Sequence, residues 1–300
     1  MRALVISGGG SKGAFAGGIT EFLITQCGFS YDILVGTSTG SLIVPLLAAN
    51  RIDKLKRLYT TVTPKDIFSS NPFIVSEKNG EIRTRINHIA ILQMFLKGAK
   101  TFGESNNLRK LIGEMFTESE FNQIRKNGPE VVVTVSNLTL NQVEYKDPIK
   151  STYEDFCDWI WASSNMIPFM SLVEKNGCEY ADGGMGNMVP IAEAIRRGGS
   201  IIDVIVLKTE KLLEPKPKVK NALELTTRVF DFMFNQIVTD DITIGKLTGH
   251  NREVVINFYH PPEMLTKNSL VFNPKMMRKW WDEGFEYAKV NNPVCKCVEV

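Results

Sequence analysis

The chain has 300 residues, 43% of them hydrophobic, which is enough to bury the core of one large α/β domain or of two smaller ones. Its 35 basic and 33 acidic residues leave a net charge of +2 without a dense basic block, so nucleic-acid binding is not expected. Five widely spread cysteines are too few for a disulfide framework and are typical of a reducing compartment.

Membrane-spanning helices and metal sites are not expected either. No apolar run approaches the ~18 residues that a spanning helix needs, so we expect a cytoplasmic protein, with peripheral contact to a membrane left open. Cys295 and Cys297 lack a second Cys or His pair that would complete a zinc site, and a frayed tail is the favoured interpretation. Neither a metal ion nor an organic cofactor is expected.

The chain begins with a strand, a glycine loop and a helix. Residues 3–6 are an apolar run typical of a buried strand, and a helix is predicted over 14–23. The loop between them, 7–13, has an arrangement that often binds anions. Glycine tolerates unusual backbone angles, so three loop residues are candidate donors to an oxyanion: Gly8, Gly9 and Gly10. Lys12 is either a solvated loop lysine or a contact for a substrate anion such as phosphate.

The same loop also matches the Gly-x-Gly-x-x-Gly pattern of a dinucleotide site, through Gly8, Gly10 and Gly13. Such a site needs an acidic residue where the second strand ends, about 20 positions later. That place is taken by residues 36–40, whereas Asp32 lies at the start of the strand. The dinucleotide interpretation is therefore disfavoured.

The chain is organised around residues 31–40, an apolar strand that ends in Gly-x-Ser-x-Gly. The apolar residues 41–50 follow as a predicted helix and place Ser38 on a strand–turn–helix elbow. Gly36 and Gly40 supply the small residues that such a sharp turn needs. Ser38 is therefore the candidate nucleophile, at a helix N-terminus that favours an oxyanion. The alternative is a glycine-rich turn without chemistry.

A covering layer and two further strands follow. Residues 51–127 are predicted to be mostly helical, with apolar residues at three- and four-residue spacing. The Met and Phe side chains of this region are interpreted as core in preference to a lipid-chain groove. Strands are predicted at 130–136 and 142–146, and a helix from 151 to near Pro168.

Asp182 is the second candidate for catalysis. It ends a predicted strand and precedes Gly183 and Gly184, which allow another group to come close to the carboxylate. A turn-capping aspartate is the alternative. A serine nucleophile needs a base, and no histidine lies at a glycine-rich strand end. The chain has three: His88, His250 and His260.

These motifs resemble those of the patatin-like phospholipase family. Residues 8–13 resemble its oxyanion-hole loop, 36–40 its nucleophile elbow and 182–184 its Asp-Gly-Gly/Ala motif, with a weaker fourth match at 161–168. The family often has asparagine two residues before the next proline, where this chain has Met188, with Asn187 one position earlier.

The resemblance covers about residues 1–210 and implies a three-layer α/β/α sandwich around a largely parallel sheet. It also implies a serine acyl hydrolase that acts on phospholipids or other lipid esters, with Ser38 as nucleophile and Asp182 as general base. An ordinary α/β-hydrolase is disfavoured, because its nucleophile elbow follows several strands, whereas only one predicted strand precedes the strand that ends at Ser38. A catalytically silent lipid-binding or regulatory protein is the alternative from another class.

The last part of the chain lies outside the resemblance. After a predicted strand at 201–207, the stiff charged connector 214–218 suggests a boundary between a catalytic domain, 1–210, and a C-terminal α/β segment, 211–300, packed on the same domain. Helices are predicted at 223–247 and 274–290, with a strand at 253–258. The aromatic cluster 230–234 is interpreted as core, or alternatively as a rim that touches membrane.

Overall fold

The computed structural model describes residues 1–78, 81–211, 215 and 218–292. The strands in these ranges are β1 Arg2–Ile6, β2 Ile33–Thr37, β3 Phe73–Lys78, β4 Glu81–Ile86, β5 Glu130–Asn137, β6 Gln142–Lys146, β7 Val173–Lys175, β8 Cys178–Asp182, β9 Ile201–Ile205 and β10 Val255–Tyr259. The α-helices are α1 Gly13–Thr25, α2 Thr39–Ala48, α3 Ile52–Thr61, α4 Pro64–Ile67, α5 His88–Leu96, α6 Asn106–Met115, α7 Glu118–Asn127, α8 Tyr153–Ser163, α9 Ile191–Arg196, α10 Ala222–Asn251 and α11 Pro274–Asn291.

The main sheet has eight strands, five of which run parallel in the order β10-β9-β1-β2-β5. Beyond these, β6 and β8 pair antiparallel with β5, and β7 pairs antiparallel with β8. Parallel strands need crossover connections, and the helices that make them cover both faces of the sheet. The prediction of a largely parallel sheet is confirmed.

The two faces of the sheet bury different sets of side chains. In β1, Leu4 and Ile6 join a core with α1, α2, α3 and α11, whereas Ala3 and Val5 face a second core formed with α9 and α10. This alternation follows from the two-residue period of a strand, and burial on both faces explains why β1 is apolar throughout. The predicted three-layer α/β/α sandwich is therefore confirmed.

The C-terminal segment extends the same sheet. β10 pairs with β9, and α11 packs along α1. Gly17 and Gly18 of α1 leave room for Trp281, which is buried and donates its indole N–H to Glu21. The domain boundary near residue 210 stays a prediction. Most of the connector 214–218 lies outside the described residues, as do Cys295 and Cys297.

The region 51–127 is helical in α3 to α7, but the prediction missed a β-hairpin. β3 and β4 pair antiparallel in a separate two-stranded sheet, with Phe73 opposite Ile86. An isolated antiparallel β-bridge between Ser70 and Glu104 joins the chain segments before the hairpin and after α5.

Among the described residues, no helix combines the length and apolar character that crossing a membrane requires.

Candidate active site

Pairing along β5 brings the two candidate catalytic residues together. Thr37 at the end of β2 pairs with Thr134, and Asp182 at the end of β8 pairs with the next residue, Val135. Because β6 occupies the other edge of β5 along 133–137, β2 and β8 share one edge and meet end to end. Ser38, which follows Thr37, therefore lies beside Asp182.

Ser38 occupies a strained elbow between β2 and α2. Its φ of 55° lies in the left-handed region, which is rare for residues other than glycine and typical of functional sites. A side chain at Gly36 would collide with the Gly40 backbone, and one at Gly40 with the Ile6 carbonyl. The predicted need for both glycines thus has a steric cause, which is the close approach of β1, β2 and α2.

The elbow is held by the C-terminal end of α8. The Ser38 N–H donates to the Ser163 hydroxyl at 3.0 Å, and the Ser164 hydroxyl donates to the Ser38 carbonyl at 3.2 Å. Ser163 also bonds Ser41 at 2.7 Å. These serines belong to the weaker fourth match of the sequence, and the structure gives them a supporting contact to the elbow.

Asp182 is buried, with 4% of its surface exposed. Burial raises its pKa to about 6, opposed by hydrogen bonds from the Ser38 side chain and the Gly184 N–H. The Gly184 N–H donates to Asp182 Oδ1 at 2.8 Å, while Gly183 packs against Thr134 of β5. A carboxylate with this raised pKa is a stronger base than an exposed one and is still ionised at neutral pH.

The glycine loop approaches the serine from β1. Gly10 has a φ of 55° and lies against the Ser269 carbonyl, so only glycine fits there. In the described structure, the N–H groups of Gly9 and Gly10 have no hydrogen-bond partner, whereas that of Gly8 donates to the Met188 carbonyl at 3.3 Å. The loop continues as a 3₁₀ turn, Gly10–Lys12, and Gly13 begins α1.

Asp241 of α10 supports the loop after Asp182, a role that the sequence analysis missed. It accepts the N–H groups of Met188 at 2.6 Å and Val189 at 2.9 Å. Burial raises its pKa to about 6, despite these two bonds. Asn187 instead donates to the Tyr145 hydroxyl at 2.7 Å. No local pattern identifies Asp241, because its partner loop is distant in sequence.

Ser38 and Asp182 line a cavity of about 220 Å³. Much of its wall is apolar and comes from α2, from α3 and the residue that follows it, and from α6. These side chains include Leu42, Leu58, Val62, Leu108, Ile112 and Met115. Of the Met and Phe side chains of 51–127 that were interpreted as core, Met115 lines this cavity and also belongs to the buried core. Met94 is buried as predicted, but Phe95 is 71% exposed.

The remaining candidates lie elsewhere or take other roles. None of the three histidines lines the cavity, and the described residues contain no cluster of metal-binding side chains. Phe234 lines the cavity and stacks on Phe230, with ring centroids 6.3 Å apart, whereas Phe232 is 64% exposed.

Comparison with known proteins places this geometry in context. A family model described as Patatin-like phospholipase matches residues 4–195. The solved structure of VipD from Legionella pneumophila aligns with a TM-score of 0.54 and 13% identity, over 99% of this chain and 67% of VipD, which shows a shared fold. No curated protein matches the chain. Because the family model spans more than half of its residues, the chain belongs to the patatin-like phospholipase family.

Proposed function

We propose that the chain hydrolyses acyl esters of phospholipids or related lipids through a Ser38–Asp182 dyad and an acyl-enzyme. Family membership supports lipid acyl hydrolase activity in general. The observation that carries the finer proposal is the contact between Ser38 on a strained elbow and the buried Asp182 carboxylate, at the wall of a largely apolar cavity.

The proposed reaction has two halves. Ser38 Oγ attacks the ester carbonyl carbon while Asp182 accepts the hydroxyl proton. The tetrahedral intermediate collapses, the leaving alkoxide takes the proton from Asp182, and an acyl-serine remains. Water then attacks the acyl-serine, again giving a proton to Asp182, which returns it to Ser38 as the fatty acid leaves. The same base, Asp182, thus serves both halves of the proposed reaction.

The oxyanion of each intermediate needs N–H donors close to Ser38. Gly9 and Gly10 are the proposed donors, because their N–H groups have no other partner in the described structure. Gly8 was predicted in the same role, and its N–H would first have to leave the Met188 carbonyl. Removing one such donor typically costs about a hundred-fold or more in kcat.

Peripheral membrane contact is part of the proposal, because lipid esters are found in bilayers. Two exposed apolar surfaces are available. One is the α10 surface, Phe232 and Met233, which are 64% and 49% exposed and adjoin the cavity-lining Phe234. The other is the α5 surface: Ile89, Leu92, Phe95 and Leu96. The α10 surface is the candidate because it adjoins the cavity.

Covalent labelling distinguishes an enzyme from a silent lipid-binding protein. A fluorophosphonate probe should label the wild type and fail to label Ser38→Ala. This variant loses only one oxygen, so its circular-dichroism spectrum should match that of the wild type. A matched control, Ser119→Ala, which removes an exposed hydroxyl from α7, should still be labelled. An unlabelled wild type would favour the silent protein.

The identity of the base is tested separately. Replacing His88, His250 and His260 with Gln, one at a time and together, should leave kcat on p-nitrophenyl butyrate within a few-fold of wild type. Asp182→Asn should lose about 10²- to 10⁴-fold. A loss of that size in a histidine variant, with Asp182→Asn still active, would replace the proposed dyad with a Ser–His pair.

A further inference from the structure

The cavity that contains Ser38 also carries an unusual pair of cations. Besides Asp182, the charged residues among its described lining are Lys12, Lys208 and Asp231. Lys12 donates to the Leu207 carbonyl at 2.5 Å, and Lys208 donates to the Asn235 carbonyl at 3.2 Å. Each ammonium has three protons, so each retains donors for a ligand.

Both cations are partly buried in the cavity wall. Burial lowers the pKa of Lys12 to about 8, with Asp231 opposing this effect and Lys208 adding to it. Burial also lowers the pKa of Lys208. Within the described part of the chain, neither ammonium forms an ion pair at short range. A bound anion would offset the cost of keeping two repelling ammonium groups in this wall.

Part of the apolar wall lies on the opposite side of Ser38 from the cations. Lys12 follows β1 and Lys208 follows β9, and both strands lie on one side of β2 in the sheet. On the other side of β2 is β5, which is covered by α8. Helix α6 packs in turn on α8. The side chains of α6 that line the cavity are apolar. A ligand that extends from the two lysines across Ser38 to α6 would thus meet cations at one end and only apolar side chains at the other.

We propose that Lys12 and Lys208 bind the phosphodiester of a phospholipid headgroup, while the scissile ester lies at Ser38 and the acyl chain occupies the apolar wall. This inference rests on the proposed function and deepens it, because it favours phospholipids over uncharged acylglycerols. Lys208 contributes specificity from outside the family match, which ends at residue 195. A phosphodiester and free phosphate share the chemistry that two ammonium groups recognise.

Binding to an inactive protein tests the inference without relying on turnover. Ser38→Ala protein is titrated calorimetrically with monomeric dihexanoylphosphatidylcholine, with dihexanoylglycerol, and with inorganic phosphate. Adding Lys208→Met should weaken phosphatidylcholine binding about ten- to a hundred-fold more than dihexanoylglycerol binding, the effect of one charge-assisted hydrogen bond. Lys208→Arg should restore most of the lost affinity, which separates loss of charge from loss of packing.

The matched control is Lys211→Met, which removes an exposed lysine paired with Glu263 and should change neither affinity. Equal weakening for the two lipids, or no weakening, would overturn the inference. So would phosphate binding that depends on Lys208 without phosphatidylcholine binding, because the site would then serve free phosphate. Fluorophosphonate labelling of the wild type reports on the proposed function independently, so the two failures are distinguishable.

Discussion

Asp182→Asn should make the folded protein more stable while it lowers kcat by about 10²- to 10⁴-fold. The carboxylate has a pKa of about 6 in the folded state because it is buried, against an ordinary value of 3.8. Keeping it ionised in the fold therefore costs free energy. Asparagine keeps an acceptor for the Gly184 N–H and carries no charge, so it avoids this cost at every pH.

The size of the effect follows from the two pKa values. Because the folded-state pKa is the higher one, the contribution of Asp182 to stability is present below about pH 4 and is lost as the pH rises through about 6. At about 1.4 kcal/mol per pH unit, the loss is about 3 kcal/mol at pH 7.5 and about 1 kcal/mol at pH 4.5. The variant should therefore gain stability chiefly at neutral pH.

Urea unfolding followed by circular dichroism at pH 7.5 and pH 4.5 measures this difference. The control, Asp282→Asn, changes an exposed aspartate of α11 and should shift the free energy of unfolding by no more than about 0.5 kcal/mol. If Asp182→Asn were no more stable than wild type at pH 7.5, or gained equally at both pH values, the assignment of a buried, raised-pKa base would be refuted.

Three further outcomes are expected. Gly10→Val should lower kcat by about a hundred-fold or more, because valine is strained at a φ of 55°; unchanged kcat in a folded variant would locate the oxyanion donors elsewhere. Phe232→Ser should reduce flotation with liposomes more than Leu247→Ser, a similarly exposed change on the same helix, and equal flotation would exclude the α10 surface. Asp241→Ala should lower kcat at least ten-fold and Asp241→Asn several-fold, because a neutral amide is a weaker acceptor than a carboxylate, while the exposed neighbour variant Asp240→Ala should match wild type; a KM effect alone would contradict a positioning role.

The local elements of the site were predictable, but their meeting was not. The apolar runs that become β1 and β2, and the glycines around Ser38, identify a strand–loop–helix unit, because their causes lie within a few residues of each other. The contact between Ser38 and Asp182 depends instead on β8 pairing with β5 beside the end of β2. The resemblance to a family supplied that pairing of residues, which sequence spacing alone cannot.

The exposure of side chains in the covering layer, residues 51–127, could not be predicted from the sequence pattern. Apolar residues at helical spacing predict α5 correctly, but its side chains Leu92, Phe95 and Leu96 are exposed. Periodicity reports which side chains share a face of a helix and does not report what covers that face. The β3–β4 hairpin was missed for a related reason, because it pairs only with itself and packs outside the main sheet.

The loop that follows Asp182 is held by a residue of α10, Asp241. Met188 stands where the family resemblance predicts asparagine, and Asp241 of α10 holds the loop from beyond the matched residues 4–195. Burial raises the pKa of both carboxyl groups to about 6. In the proposed dyad only ionised Asp182 can accept the proton of Ser38, so kcat/KM should rise with pH through about 6.

Asp241 should steepen that pH dependence, because its charged form is the better acceptor for the two loop N–H groups. In Asp241→Asn the second titration is absent, and the acid limb of the profile should approach the slope of a single ionisation. The measurement is kcat/KM on p-nitrophenyl butyrate from pH 4.5 to 8. An unchanged slope would show that Asp241 holds the loop equally well in both protonation states, and that Asp182 alone sets the response to pH.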